Sequence, residues 1–175
     1  MADGLGLQVI DITDQANPRR MRGFDTSGFA LGVTVSGNYA YLADEAAGLQ
    51  VIDVTDPGNP QRVSGFDTSG YAKGVAVSGT YAYVADDLGG LQVIDAGDPA
   101  SPKRVGKSDP IGPVNGVAVS GTYAYVASGN RGLGRRWWTG LQVIDISSPA
   151  NSQRAGWSET AGNALGVVVG PASAA

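Results

Sequence analysis

Gly48-Leu-Gln-Val-Ile-Asp-Val-Thr-Asp-Pro-Gly-Asn-Pro60 contains a pentapeptide, Leu-Gln-Val-Ile-Asp, that begins at Leu7, Leu49, Leu91 and Leu141. The spacings are 42, 42 and 50 residues, so the third unit carries eight extra. Other landmarks keep the same beat. Tyr-Ala-Tyr starts at Tyr39, Tyr81 and Tyr123, each time preceded by Ser-Gly at Ser36, Ser78 and Ser120. Residues 6–47 and 48–89 share 28 of 42 positions. A fixed period of this length is the sequence signature of a repeat architecture.

Each unit reads as four short strands. In the second these are Gly74–Ser78, Tyr81–Ala85, Leu91–Asp95 and a weaker Lys103–Lys107. The intervening Ser-Gly-Thr, Asp-Asp-Leu-Gly-Gly and Asp-Pro-Ala-Ser-Pro are turn-forming combinations. In Tyr81-Ala82-Tyr83-Val84-Ala85 one face is bulky and the other small, yet both are apolar. A sheet exposed on one side would alternate apolar with polar residues. Apolar residues on both faces suit sheets stacked face to face, as in propeller blades of about 42 residues. The expectation is therefore an all-β propeller of about four four-stranded blades, either a closed four-bladed ring or part of a larger one. A β-solenoid is the alternative, although its coils are usually shorter. Residues 1–175 read as one domain, with repeats at 6–47, 48–89, 90–139 (insertion 128–139) and an incomplete 140–175 complemented by 1–5.

Composition agrees and excludes several functions. There are 27 glycines and only 16% charged residues among 175, whereas an average domain has about 25% charged. A net charge of −4 argues against a nucleic-acid partner, whose phosphates require a basic face. With neither cysteine nor histidine, thiol nucleophiles, Cys/His zinc sites and imidazole-dependent triads are excluded. The longest uncharged stretch, 110–130, is interrupted by glycine, proline and serine, so no membrane insertion is expected. The N-terminal Met-Ala-Asp-Gly-Leu-Gly lacks the basic and apolar regions of a signal peptide.

The segment Gly48–Pro60, followed by Gly74-Val-Ala-Val-Ser-Gly-Thr-Tyr-Ala-Tyr-Val-Ala-Asp86, resembles the LVIVD-repeat β-propellers over nearly the whole chain. The resemblance implies a prokaryotic protein, often secreted or on the cell surface, and often joined to other modules. It carries no catalytic residue set. The expected role is thus a non-catalytic scaffold or protein-binding module with no cofactor. A glycan-binding propeller is the alternative, and a propeller enzyme of lactonase or dehydrogenase type ranks below both.

The terminal residues match parts of one blade. Ala2-Asp3 aligns with Ala43-Asp44, and Pro171–Ala175 stands where the next Tyr-Ala-Tyr is due. Two readings stay open: a closed four-bladed ring whose ends share a blade, or a fragment of a longer propeller, such as a half-ring. A half-ring would expose an apolar blade face, and a homodimer completing the propeller follows from it.

Strand parity places the loops after second and fourth strands on one face of the disc. That face carries Asp44–Ala47, Asp86–Gly89, the insertion and the inter-blade segments. Here the copies vary: Leu31, Lys73, Asn115 and Leu165 occupy one equivalent position before the first-strand glycine, near the channel. They are candidate contacts for a protein or glycan, or else plug the channel. The insertion adds Arg131, Arg135, Arg136, Trp137 and Trp138, residue types enriched at binding hot spots. Alternatively a tryptophan folds back over its own blade and the arginines are solvated or pair with Asp44 and Asp86. The recurring Asp11, Asp53, Asp95 and Asp145, with Asp14, Asp56 and Asp98 after them, suit turn-forming side chains. No metal ligation is expected of them.

Overall fold

The computed structural model describes residues 1–110, 112–129 and 139–170. Its strands are β1 (Gly6–Asp11), β2 (Arg19–Asp25), β3 (Gly32–Ser36), β4 (Tyr39–Ala43), β5 (Leu49–Asp53), β6 (Gln61–Phe66), β7 (Gly74–Ser78), β8 (Tyr81–Ala85), β9 (Leu91–Asp95), β10 (Lys103–Ser108), β11 (Val114–Ser120), β12 (Tyr123–Ser128), β13 (Gly140–Asp145) and β14 (Gln153–Glu159). Three antiparallel four-stranded sheets follow in chain order: β3–β6, β7–β10 and β11–β14. A two-stranded sheet, β1–β2, precedes them. This is a propeller, and the three sheets are its full blades.

Local chemistry sets each blade. The first hairpin of every blade turns through Ser-Gly-Asn or Ser-Gly-Thr, with Ser36 pairing Tyr39 across Gly37 and Asn38. Gly37 has φ +56°, the left-handed conformation that two-residue hairpins require and glycine adopts without steric cost. The third and fourth strands of each sheet pair with a register irregularity, at Val51/Ile52 for β5–β6 and Val143/Ile144 for β13–β14. Such a bulge twists the exposed edge strand and discourages edge-to-edge pairing.

The core lies between blades. Tyr41, Ala43, Leu49 and Val51 of the first full blade pack against Val75, Ala82, Val84 and Ile94 of the second. Tyr83, Ala85, Leu91 and Val93 repeat this arrangement against Val117, Ala124, Val126 and Ile144. Bulky faces meet small ones, as the alternation of Tyr81–Ala85 predicts. Each fully buried Leu, Ile or Val contributes about 1.5–3 kcal/mol. Separate antiparallel sheets stacked face to face leave no room for the β-solenoid alternative.

Nearest the channel, the first strands approach through a glycine ladder. A Cβ built on Gly32 would lie 3.1 Å from Cα of Gly74; the same distance separates a Gly74 Cβ from Cα of Gly116, and a Gly116 Cβ from Cα of Gly166. Beyond Gly166 nothing among the described residues lies within 4 Å. A closed four-bladed ring would set Gly166 against Gly32. The blades instead form an open arc, the second of the two expected arrangements. Among the described residues no helix is long and apolar enough to cross a membrane.

Candidate functional site

The loops meet as strand parity requires. On the rim face, Thr26 in the segment after β2 donates its hydroxyl to Asp44 Oδ1 at the end of β4 (2.6 Å), and the Gly28 amide donates to Oδ2 (3.2 Å). Thr68 and Asp86 repeat this link one blade on, at 2.5 Å. On the opposite face the amides of Val54, Ala96 and Ile146 donate to the carbonyls of Asn38, Thr80 and Thr122.

Leu31, Lys73, Asn115 and Leu165 each precede a ladder glycine. Leu31 and Leu165 are exposed, at 51% and 72%. Lys73 and Asn115 are half-buried and tied into a polar chain along the arc. Lys73 Nζ donates to Asp87 Oδ1 (2.5 Å) and Asn115 Oδ1 (3.1 Å). Asn115 Nδ2 in turn donates to the carbonyls of Gly129 (2.8 Å) and Ala164 (3.0 Å). The four predicted positions therefore differ in kind: two link neighbouring blades, and two present apolar surface. Phe29, Tyr71 and Leu88, at 62%, 52% and 72% exposed, extend that surface around the same loops.

Strained backbone frames the rim. Glu45 and Asp87 adopt φ +46° and +49°, costly for residues bearing a Cβ. Both are held by pairing with the next blade: Glu45 and Ala72 exchange two backbone hydrogen bonds of 3.0 Å, and the Val114 amide donates to the Asp87 carbonyl at 3.1 Å.

Arg131, Arg135, Arg136, Trp137 and Trp138 lie outside the described residues. The roots of their loop belong to the rim, because Gly129 bonds Asn115 through its carbonyl and Pro113 through its amide. Of the groups expected to pair with them, Asp44 and Asp86 lie among the described residues. Both aspartates are fully buried and satisfied by threonines. Burial pushes the Asp86 carboxyl up to about 6; the charges of Asp67 and Asp87 add to this, while hydrogen bonds from Thr68 and Gln92 oppose it.

The recurring aspartates form turns. Asp11, Asp53, Asp95 and Asp145 accept from the amide two residues on, as do Asp14, Asp56 and Asp98. Backbone and hydroxyl donation from Thr13 holds the Asp11 carboxyl below its ordinary value. Among the described residues no three carboxylates converge in a way that could hold a metal ion.

One internal network went unread in the sequence. The buried Gln8 and Gln50 accept from Arg20 Nε and Arg62 Nε, each at 2.7 Å. These arginines need space opposite the glutamine, where Gln8 faces Gly23 and Gln50 faces Gly65. In the next blade Gln92 faces Lys107. There a lysine stands in register where the two preceding sheets have glycine, and Gln92 Oε1 is buried with no partner among the described residues. The signal was present in the invariant Gln of the pentapeptide and the Arg 12 residues after it.

A family profile described as LVIVD repeat matches residues 27–68, 69–109, 111–134 and 136–156. No curated protein matches the chain. Among solved structures, the chain is similar to the computationally designed Ika8 protein, with TM-score 0.66 and 11% identity, over 97% of this chain and 49% of that one. The likeness is one of fold, and the chain spans about half the length of that protein.

Proposed function

Since the chain belongs to the LVIVD-repeat family, we propose that it is a non-catalytic scaffold whose rim face binds a protein partner at a prokaryotic cell surface. The observation that carries this reading is the apolar set Phe29, Leu31, Tyr71, Leu88 and Leu165, each at least half exposed. They stand on loops whose backbone is fixed by inter-blade hydrogen bonds. Exposed apolar side chains presented on one face by rigid loops suit a contact surface. The opposite face consists of repeated Asx turns and offers no comparable variation. The setting at a cell surface rests on the family resemblance alone.

Glycan binding is the second reading, favoured by the exposed rings of Phe29 and Tyr71. The test places a photo-crosslinking residue at Leu31, Leu165 or the outer-edge Val63 and exposes each protein to surface extracts of the source cell. One protein captured from both rim positions, absent at Val63 and lost in Phe29→Asp, supports the proposal. Equal capture at all three positions refutes it. Glycan-array binding that disappears in Phe29→Ala and Tyr71→Ala would replace it with the second reading.

A further inference from the structure

The interface repeated inside the arc is left as two complementary halves at its ends. In the interior, Tyr41, Leu49 and Val51 of one blade cover Ile94 and Ala96 of the next. Tyr83, Leu91 and Val93 likewise cover Ile144 and Ile146. All these residues are at most 5% exposed. At the C-terminal end the same bulky face recurs as Tyr125, Leu141 and Val143, but here each is only half-buried. At the N-terminal end the receiving face recurs on and just after β1, where Ile10 is half-buried and Ile12 is 67% exposed. Each end thus shows the half that the other lacks.

The backbone repeats this complementarity. Residues 163–170 lie against β11 in the place of a first strand: Gly166 extends the glycine ladder and the Ala164 carbonyl accepts from Asn115. No strand pairs with this segment among the described residues, and Val168 is 89% exposed. β1 and β2 supply third and fourth strands with no first strand beside them. Met1 takes the place of a second-strand residue, exchanging backbone hydrogen bonds with Gln8. In sequence the two pieces complete one blade.

We propose that two copies of this chain close into a single ring, the β1–β2 hairpin of each completing the blade that the other opens with residues 163–170. Ile10 and Ile12 of the partner subunit then cover Tyr125, Leu141 and Val143, and Gly166 meets Gly32 of the partner subunit. The two junctions are equivalent by two-fold symmetry, so the assembly ends at two copies. Its length agrees with the arc's match to half of a solved chain. The rim of Leu31, Lys73, Asn115 and Leu165 becomes a complete circle only in that ring. The inference stands apart from the rim's partner, because molecular mass reads it with no ligand present.

The test is light scattering on the size-excluded protein, with substitutions at positions open in the single chain. Ile12→Glu adds a charge at an exposed site, and Gly166→Val adds side-chain atoms where nothing lies within 4 Å. Neither should unfold the arc. Both should convert a species of twice 17.8 kDa to a single chain, weakening association at least about 100-fold: Ile12→Glu by burying an unpaired charge, and Gly166→Val by placing side-chain atoms where the ladder spacing of 3.1 Å admits only glycine. Val63→Glu, on the outer edge, should leave the dimer intact. Circular dichroism confirms that each variant keeps its β-structure. A single-chain mass for the unmodified protein overturns the proposal. So does a ladder of higher masses, or a dimer indifferent to both substitutions.

Discussion

Asp86 is the group through which pH should act on this fold between about 4 and 6. It is fully buried at the end of β8, and its folded carboxyl is raised from 3.8 to about 6. The native state therefore favours the protonated form. The stability this group confers is complete below 3.8 and is lost as pH rises through 6. The gap corresponds to a ceiling of about 3 kcal/mol at 1.36 kcal/mol per pH unit, and solvent reaching the rim loops reduces it to about 1–3. Asp11, Asp14, Asp53 and Asp145 shift the opposite way, so their contributions are lost only as pH falls below the ordinary carboxylate range. The perturbation is Asp86→Asn, which keeps an oxygen to accept from Thr68 and removes the buried charge. Urea denaturation at a series of pH values, with Asp86→Asn subtracted from the unmodified protein, cancels every other titration. The variant should gain about 1–3 kcal/mol relative to the unmodified protein between pH 4 and pH 7, most of it between 4 and 6. A difference that stays flat over that range, or rises with the opposite sign, refutes the reasoning.

Thr68→Val removes a hydroxyl that donates to the charged Asp86, so the carboxyl should titrate above about 6; NMR titration of its side-chain carbon reads this directly. Ile94→Ala empties a fully buried position between the first and second full blades and should cost about 3–4 kcal/mol in urea denaturation, combining lost transfer energy with an unfilled cavity. Gly48→Ala should cost more than about 3 kcal/mol or prevent folding. Gly48 has φ +71° and a Cβ there would collide with the Phe66 carbonyl oxygen; wild-type melting would show the strain reading to be wrong.

The blade was legible because its determinants are local. Gly74–Ser78, Tyr81–Ala85 and Leu91–Asp95 are read from alternation and turn residues alone, and these strands form with those bounds. β10 ends at Ser108, one residue beyond the expected Lys107, because Ser108 still pairs with Leu91. The Asx role of Asp11 and its copies was equally legible, since an aspartate two residues before a free amide needs no distant partner. The rim was legible only as positions. Lys73 and Asn115 stand 42 residues apart, and no local rule tells that they bond each other while Leu31 and Leu165 remain bare.

By itself the sequence determined the repeat, the four-strand blade and the two apolar faces, because period, turn chemistry and side-chain alternation act over a few residues. Only the tertiary structure decided what depends on neighbouring blades. It buried Asp44 and Asp86 beneath the hydroxyls of Thr26 and Thr68, denied Gln92 the arginine that serves Gln8 and Gln50, and left Gly166 without a next glycine among the described residues. The physical reason is cumulative: each blade repeats nearly the same contacts, and whether the series closes depends on the small rotation between successive blades, which is a property of whole packed faces and of no single residue.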